Sequence, residues 1–255
     1  MKIIISPAKK MQTEEALCLP FTEPVFLKEA GELLEVLKGL SFAELKKLLS
    51  CNDSIAELNF ERFRTMELER PQVHALLAYD GIQYQYMGAG VLEEESLFYL
   101  QEHLRILSGF YGVLKPLDGI LPYRLEMQAK LLTERGKNLY AFWENKISEE
   151  VRKGTKTVLD LASAEYSKSV LKYLPEDVRI IRFLFGEWEN GTVKEKGVYV
   201  KMARGEMVRF LAERKCTDPE EAKEFRGLGF SFSEEFSEKD RWVFLREKEG
   251  RKENA

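Results

Sequence analysis

Cationic side chains recur just past short apolar runs in this chain, an arrangement suited to holding an anion. Three segments share it: Ile3-Ile4-Ile5-Ser6-Pro7-Ala8-Lys9-Lys10, Leu159-Asp160-Leu161-Ala162-Ser163-Ala164-Glu165-Tyr166-Ser167-Lys168, and Val200-Lys201-Met202-Ala203-Arg204-Gly205-Glu206-Met207-Val208-Arg209. Each reads as a strand running out into small and charged residues. Ligands of open sheets collect beyond the carboxyl ends of strands, where helix N-termini present unpaired N–H groups to phosphate. Ser163 is placed to cap such a helix, and Gly205 would let backbone approach an anion closely. Lys9, Lys168, Arg204 and Arg209 would supply charge. The alternative is that Ser163 only caps its helix and the cations are solvated surface groups.

A second dense stretch runs from Leu104 to Met127. A helix ending in Ser108-Gly109-Phe110-Tyr111-Gly112 resembles the hairpin of a helix-hairpin-helix element, in which glycine N–H groups hold a DNA phosphate and read no base. Two residues separate Gly109 and Gly112 where that element usually has one. The alternative is a Gly-terminated helix followed by a turn. Glu126 and Glu165 stand near cations and are candidates for acid–base work, with an arginine steadying developing negative charge. Glu126 pairing with Arg124 or Arg105 is the simpler reading.

Absences narrow the chemistry. His74 and His103 are the two histidines, far apart and lacking a partner at ligand spacing, and Cys18, Cys51 and Cys216 form no Cys-x-x-Cys pair. No metal site and no cofactor is expected, and Ser-His chemistry lacks its base. No dinucleotide fingerprint, Walker loop or nucleophile elbow occurs. The composition, 44% hydrophobic and 32% charged with net charge −4, excludes wholesale disorder and a globally basic binder. It leaves room for a local basic surface. No signal peptide and no membrane segment is apparent, so a reducing cytoplasm is expected and no membrane partner.

Positioning these residues requires alternating strands and helices. Lys2 to Ser6 reads as a buried strand stopped by Pro7. Leu27 to Leu37 and Phe42 to Leu49 carry helical spacing, with Ser41 and Glu44 as a capping box. Leu97, Leu100, Leu104 and Leu107 predict a helix over 94–107. Val158 to Ala162 predicts a strand leading into a helix from Ser163 to Leu171. Asn190-Gly191 predicts a hairpin joining Arg179–Phe185 to Gly197–Ala203, with a helix over 206–215. Gly229–Phe232 and Trp242–Leu245 predict a further strand pair. The expected fold is a single compact α+β (mixed α/β) domain over 1–247, its mixed sheet flanked by helices. A charged flexible tail, 248–255, follows.

The chain also resembles the YaaA family of peroxide stress resistance proteins. The resemblance rests on Ile5 to Lys9, His103 to Asp118, Pro122 to Met127, Leu139 to Trp143, Leu161 to Tyr166 and Ala203 to Arg209, in family order. It implies one unusual mixed fold with a helix-hairpin-helix-like element and a positively charged cleft. It also implies binding of double-stranded and distorted DNA, and a lowering of free intracellular iron during hydrogen peroxide stress. Carried over by position, the hairpin falls on Ser108 to Gly112 and the cleft cations are Lys9, Arg124, Lys168, Arg204 and Arg209. Two function classes result. In the first, Gly109 to Gly112 hold one DNA phosphate while Lys9, Lys115, Arg124 and Arg204 neutralise others. In the second, an enzyme acts on a nucleotide or other phosphorylated small molecule with Lys9, Tyr111, Arg124, Glu126, Ser163 and Glu165.

Overall fold

Ile3, Ile4 and Ile5 and, beside them, Val158 and Leu159 are fully excluded from solvent. These apolar runs are the middle of the sheet, since strands buried on both faces need not alternate. The computed structural model describes residues 1–14 and 17–246; the expected tail lies outside the described residues.

The chain opens with β1 (Lys2–Ile5) and β2 (Lys10–Met11), then α1 (Leu27–Lys38), α2 (Phe42–Leu49) and α3 (Asp53–Thr65). The predicted capping box starts α2, with Ser41 N donating to Glu44 Oε2 at 2.8 Å. Short elements follow: β3 (Val73–His74), α4 (Ala75–Ala78), β4 (Tyr79–Asp80) and α5 (Ile82–Met87). Next come α6 (Glu94–His103), β5 (Leu104–Ser108), β6 (Gly112–Leu114) and β7 (Gly119–Ile120). The second half holds α7 (Leu139–Trp143), α8 (Lys146–Arg152), β8 (Thr157–Asp160), α9 (Ala164–Leu171), β9 (Arg179–Glu189) and β10 (Thr192–Lys194). It ends with α10 (Gly197–Glu213), β11 (Phe230–Glu238) and β12 (Arg241–Arg246).

The central sheet runs β11-β12-β9-β8-β1-β5-β6, with β10 hydrogen-bonded to β9. From β12 to β5 the pairings are parallel, with Ile3 beside Leu159 and Ile5 beside Ile106. The pairs β5–β6 and β11–β12 are antiparallel. The protein is therefore a single mixed α/β domain, as its sequence led us to expect, and its sheet is mostly parallel. Strand order reverses at β1: β5 lies on one side of it, and the next parallel strand, β8, on the other. Such a switch leaves a crevice at the carboxyl ends of the two strands it separates.

Three local expectations need correction. The helix predicted over 94–107 stops at His103, and Leu104–Ser108 is a strand buried along its length. Its leucines fit helical spacing, but pairing with β1 decides the conformation. The Asn190-Gly191 turn is present, with φ of 50° and 80°, yet its second strand is β10. Gly197–Ala203 opens α10 instead, so the third of the three shared segments is helical throughout.

Candidate anion-binding site

A cavity of about 480 Å³ opens at the β1–β8 switch point. Ser6 to Lys9, just beyond β1, form one wall, and Ser163 and Glu165 at the start of α9 form another. Lys201 and Arg204, one helical turn apart on α10, face it, as do Gln83 and Tyr84 of α5 and Tyr123 to Glu126. Ser6 Oγ donates to Ser163 Oγ at 3.1 Å and accepts from Ser163 N at 2.8 Å, tying the two strand ends together. Ser163 stands at the N-cap of α9, but its side chain accepts no capping hydrogen bond from that helix among the described residues.

The charges divide into satisfied and unsatisfied groups. Glu126 is ion-paired twice, to Lys9 and to Arg124, each at 3.0 Å. Glu165 accepts from the Gln128 backbone N–H at 3.2 Å. Burial, helped by the charge of Glu126, raises its carboxyl above the usual value despite that bond and Lys9. Gln83 is 7% exposed, and its Nε2 has no partner among the described residues; nor do the buried Nε atoms of Arg124 and Arg204. All three line this cavity. Burial lowers the Arg204 guanidinium, outweighing the opposing charges of Glu195 and Asp160. Such a group favours a bound anion.

The profile of the family described as peroxide stress protein YaaA matches residues 1–236. The chain belongs to the YaaA family. It is similar to the UPF0246 protein of Desulfitobacterium hafniense, 53% identical over 246 residues that cover 96% of this chain and 98% of that one. A UPF0246 protein of Lachnoclostridium phytofermentans is 51% identical, with 96% of each chain covered. One of Pediococcus pentosaceus is 46% identical, covering 96% of this chain and 98% of its own.

In this YaaA-family chain Lys9, Arg124, Glu126, Ser163, Glu165 and Arg204 come together from four places in the sequence. Lys168 lies in a neighbouring groove, over the Tyr140 ring at 5.1 Å. Arg209 is not among the residues lining either; its Nε donates to Glu213 at 2.8 Å. Lys115 follows β6 and lines neither cavity nor groove.

The expected helix-hairpin-helix reading of Ser108 to Gly112 is corrected: a strand precedes this segment and a strand follows it. Ser108 and Tyr111 are buried at 0% and 1% exposure. Ser108 Oγ accepts from Phe110 N and Tyr111 N, leaving its own proton for Tyr123 OH at 2.5 Å, which in turn reaches Tyr79 OH at 2.8 Å. A Cβ on Gly109 would stand 2.4 Å from Leu125 O, and one on Gly112 (φ +71°) 2.8 Å from the Trp143 ring. These glycines serve close packing beneath the cavity and offer no surface to a phosphate. Gly205 is corrected likewise: its Cβ would lie 2.1 Å from Gln83 O, so it lets α10 touch α5.

Sequence reasoning missed Gln83, Tyr84, Tyr123, Tyr166 and Lys201. Lys201 carried a signal, being one turn before Arg204. Gln83 carried none beyond its place after the Asp80-Gly81 turn. Among the described residues no three His, Cys, Asp or Glu side chains gather as a metal set, and no helix is long and apolar enough to cross a membrane.

Proposed function

We propose that this member of a peroxide stress family binds a nucleotide or comparable phosphorylated small molecule at the β1–β8 crevice. Arg204, Arg124 and the first N–H groups of α9 hold the phosphate. One observation carries the reading: Gln83, Arg124 and Arg204 line one cavity, and in each a buried donor (Gln83 Nε2, Arg124 Nε, Arg204 Nε) lacks an acceptor among the described residues. A buried donor without an acceptor costs about 1–3 kcal/mol, and more when charged. A phosphate recovers that cost for several donors at once. The two carboxylates give the site acid–base capacity. Glu165 is the group inclined to hold a proton, whereas Glu126 is ion-paired to Lys9 and Arg124.

The test is thermal shift with a panel of nucleoside mono-, di- and triphosphates, since a ligand bound only by the folded state raises Tm. A rise in wild type that Arg204→Gln abolishes supports the reading. No shift with any member of the panel overturns it.

A second reading, sequence-independent binding of duplex or distorted DNA, is favoured by a different feature. Beside the cavity lies a groove of about 630 Å³ lined by Lys168, Lys172, Arg182 and Arg241. It does not draw on the buried hairpin. DNA bound this way loses affinity steeply with salt. Anisotropy with plain and bulged duplexes across a salt series tests it, and no binding at low salt refutes it.

A further inference from the structure

Arg204 faces two cavities at once. It lines the 480 Å³ cavity with Ser6, Tyr84, Tyr123 and Ser163, and it lines the 630 Å³ groove with Asp160, Lys168 and Arg182. The start of α9 divides the two in the same way. Ser163 faces the cavity, whereas Ala162 and Ala164, its neighbours on either side, face the groove. One anion centre therefore has a chamber on each side. Each chamber is within the range of about 300–1,000 Å³ that commonly takes a small ligand.

The groove has its own polar handles. The Arg182 guanidinium makes no hydrogen bond and no ion pair among the described residues. Asp160, at the carboxyl end of β8, uses Oδ1 to accept from Ser167 Oγ at 2.6 Å and from Ala162 N at 3.1 Å. Its Oδ2 has no such partner among the described residues. An acidic side chain at a strand end is well suited to accept from a sugar hydroxyl. A mononucleotide seated at Arg204 would fill one chamber and leave these groups facing water.

We propose that the ligand is a dinucleotide whose linking phosphate sits on Arg204 and the start of α9, with one nucleoside in the tyrosine-walled cavity and the other in the Asp160–Arg182 groove. This rests on the nucleotide reading above and names its ligand class. Gln83, more than nine-tenths buried with Nε2 unpartnered among the described residues, lines the cavity side of that link.

Isothermal titration of the full chain with three probes tests it: adenosine monophosphate, a diadenosine joined by a 3′–5′ phosphodiester, and a short DNA duplex. The expected result is dinucleotide binding roughly tenfold or more tighter than the monophosphate, the scale of one charge-assisted contact. Arg182→Ala is expected to bring the ratio of the two affinities toward one, and Arg204→Gln to weaken both. Circular dichroism checks that each variant folds. Equal affinities, or a ratio that Arg182→Ala does not move, overturn the dinucleotide proposal while the nucleotide reading stands. Binding of the duplex alone, or of nothing, overturns both.

Discussion

Replacing Arg204 by Met should stabilise the ligand-free protein while abolishing its response to ligand. Met keeps most of the length of the side chain and removes the charge. Three effects compete. Wild type holds the Arg204 Nε out of water and unpaired among the described residues, and desolvating an ion costs several kcal/mol even after relaxation. Against this stand the attractions of Glu195 and Asp160, neither of which ion-pairs with Arg204 among the described residues. Burial outweighs those attractions, because the guanidinium is lowered from its usual value. The remaining effect is a modest loss of contacts, which Met largely preserves. The net gain should be about 1–2 kcal/mol. For a chain of this size that raises Tm by about 2–8 °C. Differential scanning calorimetry of both proteins, with and without the nucleotide giving the largest wild-type shift, reads both halves. If Arg204→Met melts below wild type, the arginine supports the fold and the orphan-donor reasoning is wrong. If it melts higher yet still responds to ligand, Arg204 is not the anchor.

Gly205→Ala should lower stability by about 1–3 kcal/mol in urea unfolding, because its Cβ meets Gln83 O at 2.1 Å; unchanged stability would mean that α5 and α10 separate freely. Tyr123→Phe should cost about 1–3 kcal/mol, since it removes an oxygen bonded to both Ser108 Oγ and Tyr79 OH; a neutral result would show that water fills its place. Asp160 is raised by burial above the usual carboxyl value of about 3.9. Its contribution is complete below that value and is lost as pH rises through the folded-state value. Asp160→Asn should therefore gain on wild type as pH rises from about 4, read by urea unfolding at several pH values; a constant difference would place the titration elsewhere.

What the sequence made legible follows from where one force dominates. The capping box at Ser41–Glu44, the turn at Asn190-Gly191 and the buried run Ile3–Ile5 depend on local chemistry, and all three are present. Leu104 to Ser108 is different. Strands buried on both faces lose the alternation that marks a strand, so its leucines fall as readily into helical spacing. The same ambiguity hid α10, whose opening Val198, Tyr199 and Val200 read as strand until the helix behind them is known. For the site, the charged members were legible because lysine and arginine past a strand end stand out. Gln83 and Tyr84 were not, since only the packing of α5 against α10 brings them to the crevice.

That packing also explains how an acidic chain keeps an anion site. Several basic side chains at the surface are neutralised close by, as Lys10 by Asp80, Lys146 by Glu29 and Lys196 by Glu187. Arg204 forms no ion pair among the described residues, although Glu195 and Asp160 attract it, and Gly205, the next residue, seats α10 tightly on α5 at Gln83. The contact first read as a place for an anion to touch Gly205 thus acts one residue away. It fixes two donors in position before any ligand arrives, so little ordering remains to be done on binding. The cost is a buried charge that weakens the empty protein, and the substitution of Arg204 by Met measures that cost directly.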